Sequence, residues 1–198
     1  MPLERKRKGE RQGASLVGSI FFMSLNRLNY RWSTPVLNLR DRREPTSVRR
    51  EEREIKDQAG IESVIQDSQV CRMGLCDDGK PYVVPMNFGY RDGKVYMHCA
   101  TEGRKLDVIR KNPRVCLEFD ADLRVKYAQE ACNFTMNYKS VIAWGRAQVL
   151  KGTEEKIYGM NVIMGHYTGK EYEFPAQALA RIVVIRVDIE EMTGKQNG

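Results

Sequence analysis

The tripeptide Gly103-Arg104-Lys105 is the place where this sequence could hold a charged small molecule. It stands between an alternating stretch, Val95 to Cys99, and a helical pattern that carries Leu106, Ile109 and Arg110 and stops at Asn112-Pro113. A helix starting near Gly103 aims unpaired backbone N–H groups and a partial positive charge at whatever precedes it, and glycine permits close approach to that backbone. Arg104 adds a planar fork of donors and Lys105 a point charge at the same end, and both suit a phosphate. A solvated basic turn has the same composition, so spacing alone leaves two readings open.

Few other residues offer chemistry. His98 and His166 are the only histidines. His98 ends the strand that leads into the Gly-Arg-Lys break, where an imidazole could pass a proton or simply pack. His166 closes a helical stretch and is expected to interact with the helix dipole. Gly-x-Ser-x-Gly, His-Glu-x-x-His, a Walker loop and a Rossmann glycine fingerprint are all missing. Cys71, Cys76, Cys99, Cys116 and Cys132 form an odd set without Cys-x-x-Cys, and read as small reduced core residues rather than disulfides or metal ligands. Two histidines and scattered thiols do not suggest a zinc or iron site. Difficult chemistry therefore falls to a bound cofactor.

The elements that must position these residues follow from pattern and punctuation. Asp57 caps a helix to Ser68 with Ile61, Val64 and Ile65 on one face. Val70–Cys76, Pro81–Tyr90 and the strand from Val95 form a three-stranded meander, turned at Asp77-Asp78-Gly79-Lys80 and Arg91-Asp92-Gly93-Lys94. Pro85 cannot donate to a ladder, so it marks an edge or a bulge. Arg114–Phe119 is a further strand, Asp120 to Cys132 a loop or irregular edge, and Asn133–Leu150 a long β-rich run bent at Gly145. Thr153 is expected to cap a helix carrying Ile157, Met160, Ile163 and Met164, without a capping box because Lys156 stands three residues on. Ala180–Asp188 is a final buried strand and Glu190–Gly198 a tail.

The chain of 198 residues carries a net charge of +7, with 41% hydrophobic and 30% charged residues. Residues 1–47 hold ten Lys/Arg and four acids, a net +6, so residues 48–198 carry only +1. That location makes nucleic-acid binding by the folded part an unfavoured reading. Residues 1–47 read as a disordered basic extension, and residues 48–198 as one domain. No apolar run is long enough to span a membrane, and the reduced cysteines suggest a cytoplasmic protein.

The strand, Gly-Arg-Lys-Leu and then Asn-Pro-Arg-Val together resemble the FMN-binding split-barrel family typified by pyridoxamine 5'-phosphate oxidase, in which a serine stands where Gly103 is. Four further stretches look like the nitroimidazole-resistance branch: Val84-Pro85-Met86-Asn87-Phe88-Gly89-Tyr90, His98, Tyr138-Lys139-Ser140-Val141 and Thr193-Gly194-Lys195. The likeness covers Val48 to Gly198. It implies a mainly β fold with flanking helices, a six-stranded antiparallel split barrel that pairs as a homodimer with flavin at the subunit interface.

The resemblance also implies the site. Gly103, Arg104 and Lys105 would hold the FMN phosphate, and Pro85, Met86, Asn87 and Phe88 would border the flavin ring. His98 would donate a proton or touch substrate. Ser140 would reach the second subunit's flavin, in place of the oxidases' glutamine and with a shorter side chain. The activity implied is reduction of a small organic acceptor, such as a nitroimidazole, with electrons from a reduced nicotinamide or another donor. Two alternatives stand beside it. Pyridoxamine 5'-phosphate oxidation lacks its C-terminal Trp and Arg-x-His here, and a non-catalytic flavin-binding or flavin-sensing module would need no acceptor at all. The same barrel type can also hold haem or a deazaflavin.

Overall fold

The computed structural model describes residues 50–198, so the expected extension over residues 1–47 lies outside the described residues. The strands are β1 (Glu54–Ile55), β2 (Cys71–Asp77), β3 (Lys80–Met86), β4 (Phe88–Arg91), β5 (Lys94–Ala100), β6 (Arg114–Lys126), β7 (Thr135–Val149) and β8 (Ile182–Asn197). Four helices accompany them: α1 (Gln58–Asp67), α2 (Arg104–Lys111), α3 (Thr153–Thr168) and α4 (Ala176–Leu179). All neighbouring strands run antiparallel along the path β3-β2-β6-β7-β8-β5-β4, with β1 added to the far part of β8. The expected class, an antiparallel β protein with flanking helices, is what the chain adopts.

Period-two alternation builds the core. Met73, Phe88, Met97, Leu117, Phe119, Val141 and Ile185 from six different strands point to one side and are fully buried. Helix α1 adds Ile61, Val64 and Ile65 to that cluster, and the Asp57 carboxylate caps it by accepting the Gly60 N–H at 2.7 Å. A second cluster forms on the other side of β5 and β8, where Tyr96 and Val184 meet Met160, Val162 and Ile163 of α3. Both faces of β5 are therefore covered. At Gly89 the contact is close enough that a Cβ would lie 2.3 Å from the Val162 carbonyl oxygen.

The hairpins at Asp78-Gly79 and Asp92-Gly93 form as expected, with positive φ at all four residues. Gly145 sits at a register shift between β7 and β8, as its strand position suggests. Other expectations need correction. Pro81–Tyr90 is two strands, because Asn87 interrupts it: β3 pairs with β2, β4 with β5, and the two lie at opposite ends of the path. The meander is thus a pair of separated hairpins. This division and the short β1 bring the sheet to eight strands where six were expected.

The segment after Asp120 is not a loop at first, since β6 continues to Lys126 through an irregularity between Ala121 and Arg124. The tail from Glu190 is strand as well. It pairs with β7 as far as Asn197 opposite Tyr138, and those backbone bonds hold a polar sequence in the sheet. Thr153 is the first residue of helix α3 and not its cap, which is Gly152, whose N–H donates to the Glu155 carboxylate at 3.2 Å. Of the cysteines, Cys71 is buried and Cys99 and Cys116 half-buried, whereas Cys76 and Cys132 are exposed and do not belong to the core.

Candidate functional site

Between β5 and α2 the chain turns through Gly103, whose φ of 135° is a conformation that side-chain-bearing residues rarely adopt. Gly103 is the N-cap of α2, no side chain caps the helix there, and nothing lies within 4 Å of where a Cβ would be. The Arg104 and Lys105 N–H groups have no partner among the described residues, while the Leu106 N–H turns back to the Gly103 carbonyl at 2.9 Å. Two cations stand at that end. Lys105 is half-buried and its charge acts on the Cys99 thiol at the end of β5, which burial otherwise pushes above the usual thiol range. Arg104 is tied down: its Nε and Nη2 both donate to Asp77 Oδ2 at 3.2 Å, and its guanidinium lies 4.7 Å from the Tyr82 ring centroid. An uncapped helix start, a glycine with free space above it and two adjacent cations fit a phosphate monoester well.

The β3–β4 junction presents its residues unequally. Pro85 and Asn87 are exposed, while the Met86 and Phe88 side chains are buried in the core. Pro85 lies on the end strand of the sheet, in continuous register opposite Arg72, so it marks an edge and not a bulge. Phe88 packs edge-on against Phe119 with ring centroids 5.0 Å apart, and its N–H donates to Tyr167 Oη at 3.1 Å. Met86 and Phe88 can thus meet a ligand only through backbone.

His98 sits opposite Val184 and is half-buried, with Nδ1 enclosed and without a partner among the described residues. Ser140 lies opposite Asp120 on β6 and Lys195 on β8. From Val184 to Lys195 is eleven residues, roughly 35 Å of extended chain at ~3.3 Å each. One chain therefore brings Gly103, Arg104, Lys105 and His98 to the same end of β5 but leaves Ser140 far along the sheet.

His166 does not serve the helix dipole. Its Nε2 donates to the Ser68 carbonyl at 2.8 Å, its ring packs 4.4 Å from that of Phe88, and burial holds its pKa below the usual histidine range. Its neighbour Tyr167 donates to the Gln69 carbonyl at 2.8 Å while accepting from Phe88, so α3 pins the α1–β2 link and the start of β4 together. Asp77 and Tyr82 were not identified from sequence as part of the site. The one signal available was the position of Asp77 at the head of an Asp-Gly turn, which explains the turn equally well without a ligand.

Among the described residues no group of His, Cys, Asp and Glu is arranged to hold a metal ion, and no helix is long and apolar enough to cross a membrane. Among the described residues no helix lies on the outer face of β3, β2, β6 and β7. There Pro81, Val83, Gly74, Cys116 and Trp144 line a shallow groove of about 340 Å³.

A family model described as pyridoxamine 5'-phosphate oxidase matches residues 57–196. The chain belongs to that family. A crystal structure of a Bacteroides thetaiotaomicron protein assigned to 5-nitroimidazole antibiotic resistance is 34% identical, with 72% of this chain and 86% of that one covered at a TM-score of 0.66. This bears out the resemblance drawn from the Gly-Arg-Lys and Val-Pro-Met-Asn stretches. The flavocytochrome Anf3 from Azotobacter vinelandii shares the fold at 21% identity, covering 76% of this chain and 72% of that one with a TM-score of 0.65. The FAD- and haem-binding protein from Mycobacterium smegmatis does so at 15% identity, with 73% of each chain covered and a TM-score of 0.65. Among curated proteins, an uncharacterised protein of Rhizobium meliloti (strain 1021) is 28% identical over 106 residues, 52% of this chain. The match spans 63% of that relative's length, less than two thirds. Across the pyridoxamine 5'-phosphate oxidase family match, residues 57–196 include the whole constellation from Asp77 to Ser140.

Proposed function

We propose that this member of the pyridoxamine 5'-phosphate oxidase family is an FMN-dependent oxidoreductase that acts as a homodimer on a small oxidised organic molecule. The open start of α2, with Gly103 at φ 135° and Arg104 and Lys105 beside it, carries the reading. When bound, FMN would supply two-electron chemistry between a reduced nicotinamide, or another donor, and an acceptor such as a nitroimidazole. Gly103 would offer backbone donors and Arg104 and Lys105 would neutralise the phosphate. Pro85 and Asn87 would border the ring with their exposed surfaces, and Met86 and Phe88 would hold that border in place from the core. His98 would hand on a proton from its imidazole next to the reacting centre, using the ring whose Nδ1 has no partner among the described residues. Ser140, remote from these groups within one chain, would come from the second subunit.

Purified protein should be yellow, with a flavin spectrum that bleaches on reduction. An Arg104→Ala/Lys105→Ala variant should bind FMN at least about a hundredfold more weakly, because charge-assisted hydrogen bonds contribute about 1.5–3 kcal/mol each. Wild-type protein that cannot be loaded with FMN, or a double variant with undiminished affinity, would refute the assignment.

A further inference from the structure

Arg104 is a long, solvent-facing side chain whose guanidinium is fixed by contacts from a hairpin far away in sequence. Asp77 ends β2 and is locked by the Asp78-Gly79 turn, with its backbone paired to Lys80. Its Oδ2 accepts from both Nε and Nη2 of Arg104, and its Oδ1 stands 3.9 Å from Lys111 Nζ. Arg104 and Lys111 are the first and last residues of α2, two helical turns apart on one face, so one carboxylate is hydrogen-bonded to the first and lies near the charge of the last. Tyr82, on β3, supplies the ring over which the guanidinium lies, 4.7 Å away. Nη1 is left without a partner among the described residues.

We propose that Asp77 and Tyr82 are positioning residues for the phosphate anchor. They hold the Arg104 guanidinium by one edge and one face, so that the Nη1 side meets the phosphate without first being ordered. This rests on the FMN reading above. A carboxylate near an anion site also repels the anion, and the two effects oppose each other. Repulsion of a phosphate carrying about two charges across about 7 Å of water weakens binding about sevenfold, whereas freezing a free arginine costs up to about thirtyfold. Ordering is the larger effect, so losing Asp77 weakens binding.

The test is to titrate wild-type protein with FMN and with riboflavin, which lacks the phosphate, reading affinity from flavin fluorescence. Asp77→Ala should weaken FMN about fourfold and leave riboflavin unchanged. Asp77→Asn keeps an acceptor oxygen in place and should retain most of the affinity. Tyr82→Phe keeps the ring face and should match wild type, while Tyr82→Leu should lose about threefold to tenfold for FMN alone. Unchanged or tighter FMN binding by Asp77→Ala would overturn the proposal and leave the cofactor assignment standing. Equal losses for both flavins would do the same, since they would report a general disturbance. Wild-type protein that binds neither flavin would overturn the cofactor assignment and this proposal with it.

Discussion

On the side of the sheet where α3 crosses β4 and β5, the surfaces are fitted so closely that Gly89 and Gly159 admit the helix with no room for a side chain. On the outer face of β3, β2, β6 and β7 no element among the described residues is laid over the strands, and Val83 is 60% exposed beside Pro81, Cys116 and Trp144. Charge on that open face is already paired, Arg72 reaching Glu118 and Asp120 at 2.9 Å each. What stays uncovered among the described residues is an apolar strip bordered by the exposed Arg114 and Arg146, which face each other across β6 and β7. Among the described residues the sheet is covered on one face and keeps apolar side chains on the other, and a surface of that kind suits a second molecule such as the second subunit of the homodimer proposed above.

Substitutions can break the covered side first. Phe88→Ala empties a fully buried position between Phe119 and His166 and should cost about 3–5 kcal/mol, measurable as a drop in the urea midpoint. Gly89→Ala forces a methyl group against the α3 backbone and should cost about 1–3 kcal/mol, with the loss visible in thermal melts followed by circular dichroism.

The next effect depends on pH and arises from His166. Its folded pKa lies below the unfolded value because burial penalises the cation. Protonation would also place a second N–H at the enclosed Nδ1, which has no acceptor among the described residues. The unfolded chain therefore takes up the proton first. Stability contributed here is complete above about pH 6.5 and is lost as pH falls toward the lower folded value. Urea midpoints should fall between pH 7.5 and 5.5, and His166→Gln should flatten that slope.

The smallest change in chain stability belongs to the open face, and it sharpens the comparison. Val83→Asp alters an exposed position, so unfolding of the isolated subunit should shift by less than about 0.5 kcal/mol. Sedimentation should nevertheless show monomers for this variant and the proposed dimer for wild type, and the exposed Cys76 thiol in the same groove should react faster with a thiol reagent.

Signals confined to a few residues could be read from the sequence, while relations between distant segments could not. The Asp57 cap, both Asp-Gly hairpins, the Gly103 break and the Asn112-Pro113 stop each announce themselves within about five residues. The division at Asn87 does not. Val84, Met86, Phe88 and Tyr90 all reach the same core, so the alternation continues across a point where the backbone leaves one hairpin for another. The strand from Glu190 to Asn197 is polar and gains its form from the backbone bonds of β7, a partner about fifty residues earlier in the chain. The site divides in the same way. Gly103, Arg104 and Lys105 form one contiguous signal, but Asp77 stands 27 residues from Arg104 and only the folded sheet makes them neighbours.

The position of β8 between β7 and β5 bears on how the chain is made. As synthesis proceeds, the β4–β5 hairpin and the β6–β7 pair are both complete before the segment that joins them has left the ribosome. Two ladder edges must then wait, each able to pair with a neighbouring nascent chain. Stopping translation before Ile182 would leave those edges permanently unmatched, and such truncated products should accumulate as aggregates rather than as smaller folded proteins.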